Sequence, residues 1–306
     1  MTGAPSSGVR RRMGAIALMT ASAACWGFAT VISKSALDHA PPMTLLALQL
    51  SASLAFLLVM IALHRQTLRF NAAAGRAALA GTLEPGLSYA FGIAGLALTS
   101  ASNASMIGAT EPIVIVLIAL LVFGTGASLA RLGAIAVAFI GVMFASAAQA
   151  GSDGAGTHVL GDAMVALATV FAALYVIVTS RLVTQIHPLP LAFMQQAVGL
   201  AFVVVVLAAA LGAGLETVER LPSARGWMLI IVSGVVQYAL GFWFYLMALR
   251  HMPLDLAALF LALIPVFGVG GAVVFLGEGV SPQQGLGCLM IVAAVVWSAR
   301  SEKDAG

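Results

Sequence analysis

The sequence predicts an all-α integral membrane protein with ten transmembrane helices in two inverted five-helix repeats. Three observations carry this reading. Of 306 residues, 61% are apolar and 8% charged, against roughly 25% charged in soluble domains, so lipid must be the solvent for most of the surface. The apolar residues come in runs of about twenty, the length a helix needs to cross a bilayer. The chain also pairs with itself at two offsets.

The first five spans fall near 14–34, 43–63, 78–98, 102–123 and 129–148. The second five fall near 161–181, 190–213, 226–248, 254–276 and 282–299. All are continuous runs rich in Ala and Leu, without the alternation of a membrane barrel. Arg10, Arg11 and Arg12 precede the first run as in a signal peptide, but the stretch from Met13 to Ser33 outlasts a signal core of about 7–15 residues, and Lys34 follows it. It is therefore an uncleaved span. The organisation is a tail at 1–13, a first repeat at 14–148, a Gly-rich linker at 149–160, a second repeat at 161–299 and a tail at 300–306.

Charge sets the direction. With the N-terminus cytoplasmic, eleven basic residues fall inside (Arg10, Arg11, Arg12, Arg65, Arg69, Arg76, Arg131, Arg181, Arg250, Arg300 and Lys303) and three outside (Lys34, Arg220 and Arg225). Both termini are then cytoplasmic, the linker is external, and the expected location is the cell's inner (plasma) membrane. An offset of 147 pairs Gly14 with Gly161, Ser33 with Ser180, Pro41 with Pro188 and Gln49 with Gln196; an offset of 153 pairs Pro112 with Pro265, Gly124 with Gly277 and Ser128 with Ser281. Each repeat holds an odd number of helices, so the two are inverted. Inverted repeats are characteristic of secondary transporters.

The segment from Ala97-Leu98 through Ser105 to Glu111-Pro112, with its partner from Ala248-Leu249 through Ala258 to Ile264-Pro265 and on to Leu276-Gly277-Glu278, resembles the EamA-type carriers of the drug/metabolite transporter superfamily. The resemblance covers essentially the whole chain and is greatest to bacterial exporters of aromatic and other neutral amino acids. It implies a central cavity enclosed by the first four helices of each repeat, with 129–148 and 282–299 peripheral. In one place the halves differ, since Ala97 to Pro112 is two residues shorter than Ala248 to Pro265.

Several side chains are candidates for substrate binding. Glu111 stands some ten positions into its span, too deep to face lipid; it is either an ammonium ligand or protonation site, or a carboxyl that stabilises helix packing. Glu84, just before Pro85, is a weaker alternative. Pro112 and Pro265 each remove an N–H, kinking the helix and freeing the carbonyls of Gly108 and Leu261 for packing or for lining a cavity. Gln49 and Gln196 are donors either to a substrate carboxylate or to another helix. Gly234, Tyr238, Gly241, Tyr245 and Ala248 share one helix face, a cavity wall or a packing stripe, while Tyr89 and Trp243 lie off it; Trp26 with Ser22, Thr30 and Ser33 makes a mixed stripe on the first helix. His39, His64, His158, His187 and His251 fall at helix ends, Asn103 in a weak glycosylation triplet, and Asp255 at the start of the ninth span as a cap.

Other classes find little support. Cys25 and Cys288 lie in separate apolar runs and supply neither a disulfide framework nor a metal site. A net charge of +3, spread along span edges, does not suit nucleic acid. Neither Lys34 nor Lys303 follows a glycine-rich phosphate loop, so no ATP site or other cofactor is expected. The reading is a secondary exporter of small organic solutes, namely neutral or aromatic amino acids, by alternating access. A multidrug or nucleoside/metabolite carrier of the same fold is the alternative; a structural membrane subunit explains the packing stripes without the repeat, and a membrane-embedded enzyme would have only Glu111 and Glu84 to work with. Partners are the bilayer and a small solute, with the oligomeric state open.

Overall fold

The computed structural model describes residues 7–68, 71–99, 104, 107–108, 110–123, 132–133, 135–141, 158–218, 221–276 and 281–301. Their regular structure is helical. The elements are α1 (Ser7–Ala36), α2 (Pro42–Leu63), α3 in three pieces (Ala72–Ala78, Thr82–Leu87 and Ser88–Leu98), α4 (Glu111–Phe123) and α5 (132–133 and 135–141). Then come α6 (His158–Leu182), α7 (Pro188–Gly212), α8 in three pieces (Ala224–Gly234, Val235–Leu240 and Gly241–Leu249), α9 in two (Leu254–Leu261 and Ile264–Leu276) and α10 (Pro282–Ser301). Among the described residues, five stretches are long and apolar enough to cross a bilayer unaided: Met13–Ala36, Pro42–Leu63, Val159–Leu182, Pro188–Gly212 and Ala224–Leu249.

The helices cross where small residues let backbones touch, which is how packing is achieved when lipid removes the hydrophobic drive between helices. A Cβ on Gly27 of α1 would lie 2.5 Å from the Ile264 carbonyl oxygen of α9, and one on Gly95 of α3 would lie 2.7 Å from the Gly161 carbonyl oxygen of α6. Polar side chains then tie the crossings: Ser22 Oγ donates to the Gly241 carbonyl at 2.8 Å, and Thr99 Oγ1 to Asp162 Oδ1 at 2.6 Å.

The third helix of each half runs against the second helix of the other. In α3 the turn widens over Thr82–Leu87, and in α8 over Val235–Leu240, positions 153 apart. Gly81, before the first wide turn, sits on the backbone of Gln195 in α7; Gly234, before the second, sits on the backbone of Gln49 in α2. Within the α3 turn, Glu84 has extended dihedrals (φ −148°, ψ 125°), as the residue before a proline prefers.

Some expected boundaries move. The first helix starts at Ser7 instead of residue 14, and the third at Ala72 instead of 78. Glu111 opens α4 instead of lying mid-helix, and Pro112 and Pro265 occupy the second position of a restarted helix, where a missing N–H costs nothing. The expected kinks are therefore breaks: bonds from Thr110 N to Ile107 O (3.0 Å) and from Leu263 N to Phe260 O (3.0 Å) close tight turns just before each restart. Asp255 lies one residue inside α9, which is preceded by Pro253 with no side-chain cap. The Gly-rich stretch 150–157 and Asn103 lie outside the described residues, as does most of the segment between α3 and α4 where the halves differ in length.

Candidate functional site

A cavity of about 260 Å³ lies in the bundle. Three helices of each half line it. From α1 come Trp26, Gly27, Thr30 and Ser33; from α3, Glu84, Ser88, Tyr89, Gly92, Ile93 and Leu96; from just before α4, Gly108, and from α4 itself, Glu111 and Pro112. The second half contributes Val165, Ala168, Thr169, Ala172, Tyr175 and Val176 of α6, Gln237, Tyr238 and Tyr245 of α8, and Leu261, Ile264, Pro265 and Gly268 of α9. Steps of three and four put each set on one helix face. At an offset of 153, Gly108 matches Leu261, Glu111 matches Ile264 and Pro112 matches Pro265, so the two broken helices present equivalent walls to the space.

The second helices stand behind these walls, which relocates two expected binding residues. Gln49 and Gln196 are buried but line no part of the cavity. Gln49 Nε2 donates to Ser33 Oγ at 2.9 Å and to Ser233 Oγ at 2.7 Å, while Ser33 Oγ donates to Gln237 Oε1 at 2.9 Å. Gln196 accepts from Ser53 Oγ and donates through Nε2 to the Tyr238 carbonyl at 2.6 Å. Both are interhelical ties. The structural partner of Gln49 is also Gln195 instead of Gln196, because Gln195 takes the matching place under Gly81 and donates to Thr179 Oγ1 (3.4 Å) as Gln49 does to Ser33. Helix α2 starts at Pro42 and α7 at Pro188, an offset of 146, and the neighbouring glutamines hide that one-residue slip.

The remaining expected residues converge: Trp26, Tyr89, Glu111, Tyr238 and Tyr245, with Pro112 and Pro265. Their aromatic rings interlock. Trp26 meets Phe242 at 5.4 Å and Tyr245 at 5.4 Å between centroids, and Tyr89 meets Tyr238 at 4.8 Å. Trp26 Nε1 and the hydroxyls of Tyr238 and Tyr245 have no hydrogen-bond partner within the protein. A buried donor left unmade costs about 1–3 kcal/mol, and these three belong to residues that line the cavity.

Sequence reading underrated or missed three members. Glu84 is buried and lines the space together with Glu111. Gln237 is the 153-offset equivalent of Glu84, a signal the repeat contained. Tyr175 has its hydroxyl on Gln195 Oε1 at 2.9 Å; its spacing of three from Ala172 and six from Thr169 places it on the lining face of α6. No Lys, Arg or His is among the lining residues, and no group of His, Cys, Asp or Glu among the described residues is arranged to hold a metal.

The profile of the EamA-like transporter family matches this chain over residues 13–147 and again over 159–300. Among solved structures 29 chains match. One, titled "Crystal structure of protein", shares 18% identity, with 94% of this chain and 96% of that chain covered and a TM-score of 0.77. At that identity the likeness establishes the fold. No curated protein matches.

Proposed function

This chain belongs to the EamA-like transporter family, a multi-pass membrane transporter, and from that premise we propose that it exports small organic amines, neutral amino acids with aromatic or bulky apolar side chains first among them. The observation that carries the proposal is the division of the cavity wall. Glu84 and Glu111 offer negative charge to an ammonium group, Trp26 Nε1 and the hydroxyls of Tyr238 and Tyr245 offer donors to a carboxylate, and the rings with Ile93, Leu96 and Val176 offer an apolar bed. A zwitterion has those three parts. The donors differ from those the sequence suggested, since Gln49 and Gln196 are occupied elsewhere.

Among the described residues the wall carries no Lys, Arg or His to clamp a phosphate, which argues against sugar phosphates and other strong anions. Alternating access by exchange between two inverted halves follows from the repeat, and the eleven-to-three basic split supports cytoplasmic termini in an inner membrane. The test is uptake by proteoliposomes holding only this protein, offered labelled Phe, Trp, Met, Thr, a nucleoside and a cationic dye. Movement of Phe and Trp above Thr is expected. Movement of the nucleoside alone would reject the amine reading and leave a metabolite carrier.

A further inference from the structure

Gln237 lines the cavity from α8, and an amide there has two opposite faces, a C=O that accepts and an NH2 that donates. A chain of buried hydrogen bonds decides which end is used up inside the bundle. It begins at a backbone carbonyl, which can only accept: Ser233 Oγ donates its one proton to Leu229 O at 2.6 Å, with Ile230 O at 3.1 Å. Ser233 Oγ can then only accept from Gln49, so the Gln49 atom 2.7 Å away is Nε2. The same Nε2 donates to Ser33 Oγ at 2.9 Å. Ser33 keeps its own proton for Gln237, and the Gln237 atom 2.9 Å from it is the acceptor Oε1. Reversing the chain would take the Ser233 proton away from the Leu229 carbonyl. All four side chains are more than nine-tenths buried, where a mismatched polar end is costly.

With Oε1 held by Ser33, Nε2 is the end left for the cavity. We propose that Gln237 reads a hydrogen-bond acceptor of the solute, a carboxylate or carbonyl oxygen, with Ser33 and Gln49 as positioning residues that fix which end of its amide meets it. This rests on the carrier reading and names a specificity-determining residue for it. The Tyr89 hydroxyl, a neighbour of that amide on the lining, can engage one of its two N–H groups and leave the other. The opposite half shows what the chain adds. At an offset of 146, Thr179 and Gln195 stand where Ser33 and Gln49 do, and Gln195 is satisfied within the protein: Oε1 accepts from the Tyr175 hydroxyl at 2.9 Å, and Nε2 donates to Ala77 O at 3.2 Å and Thr179 Oγ1 at 3.4 Å. Glu84, the 153-offset equivalent of Gln237, has no N–H to offer. The amide donor therefore stands on one side of the cavity.

The test is equilibrium dialysis with the purified full chain in detergent and two matched pairs of labelled solutes, phenylalanine with phenethylamine and inosine with purine riboside. The second member of each pair lacks an acceptor group of the first. Gln237→Met, similar in volume but without an N–H, should lower the affinity ratio within the bound pair about tenfold. Ser33→Ala, which frees the amide to turn over, should lower it severalfold, and Ser33→Thr, the hydroxyl that the other half carries at Thr179, should restore it. A merely structural role would weaken both members of a pair alike. An unchanged ratio in Gln237→Met, parallel loss of both members, Ser33→Thr as damaging as Ser33→Ala, or binding of neither pair would each overturn the proposal. If Gln237→Met does not fold, the contrast between Ser33→Ala and Ser33→Thr decides. A ratio that depends on Gln237 for the inosine pair, with phenylalanine unbound, supports this assignment and rejects the amino-acid reading alone. Phenylalanine binding with a ratio indifferent to Gln237→Met rejects this assignment alone.

Discussion

Residues 82–87 and 235–240 form the same wide helical turn in opposite halves, yet one turns Glu84 to the cavity and the other Gln237. The broken helices repeat the contrast, with Glu111 in one and Ile264 in the other. Both acids thus come from the first half, while Tyr175, Tyr238 and Tyr245 come from the second. The backbone is held symmetric by packing, since each third helix must pass within contact of the opposite second helix. Side chains that face only the cavity escape that constraint and have diverged. An inverted repeat thereby keeps its backbone geometry in both halves while the two walls of the cavity differ in chemistry.

Three pairs of substitutions test this division between shared backbone and separate chemistry. The largest effect should come from the crossings. A side chain at Gly81 meets the Gln195 backbone, and one at Gly234 meets the Gln49 backbone, with its Cβ only 2.5 Å from the carbonyl oxygen. Backbone cannot swing aside as a flexible side chain does, so Gly81→Val and Gly234→Val should each cost about 3 kcal/mol or more in stability. Thermal unfolding in detergent checks this. If one variant unfolds normally, the two crossings are not equivalent supports.

A smaller effect separates the starts of the second helices. Helix α7 begins behind His187, whose Nδ1 accepts from Leu189 N at 3.4 Å, whereas α2 has no cap of its own. Glu216, in the segment after α7, supplies one instead: its Oε1 accepts from Met43 N at 2.6 Å, and its Oε2 accepts from Thr44 N at 3.2 Å and Thr44 Oγ1 at 3.0 Å. A carboxylate at a helix N-terminus gains from both the free N–H groups and the dipole. Glu216→Ala should therefore destabilise by about 1–2 kcal/mol, while His187→Ala should cost less because its single bond is long. Equal losses would contradict the borrowed cap.

The smallest contrast lies at the other ends of the same helices. Both close with a left-handed residue, Gly214 (φ 69°) after α7 and Arg65 (φ 50°) after α2. Leu215 N reaches back to Ala210 O, and Gln66 N to Ile61 O, each at 2.9 Å, which is the same closing turn. Only glycine takes that conformation freely. Gly214→Ala should lower stability by about 1 kcal/mol, and Arg65→Gly should change it little or raise it by a few tenths. Denaturation midpoints measured side by side would show whether the first half tolerates strain that the second avoids.

Composition and run length alone determined that this chain lives in lipid as ten helices, because a charge-poor chain of about twenty-residue apolar runs has no other way to satisfy its backbone. The repeat was legible too, since paired prolines and the counts between them survive divergence. Trp26, Tyr89, Glu111, Tyr238 and Tyr245 were recognisable as polar or amphipathic groups that a bundle interior would have to hold. Which polar groups line the cavity and which meet one another was decided only by the tertiary structure. Gln49 and Gln196 have the same chemistry as Gln237, but α2 and α7 pack behind the wall and α8 forms part of it. The extended backbone at Glu84, the restart of α4 at Glu111 and the slip that makes Gln195 the partner of Gln49 likewise depend on which helices touch. Hydropathy measures transfer from water to lipid and is blind to contacts between distant helices, so those assignments waited for the fold.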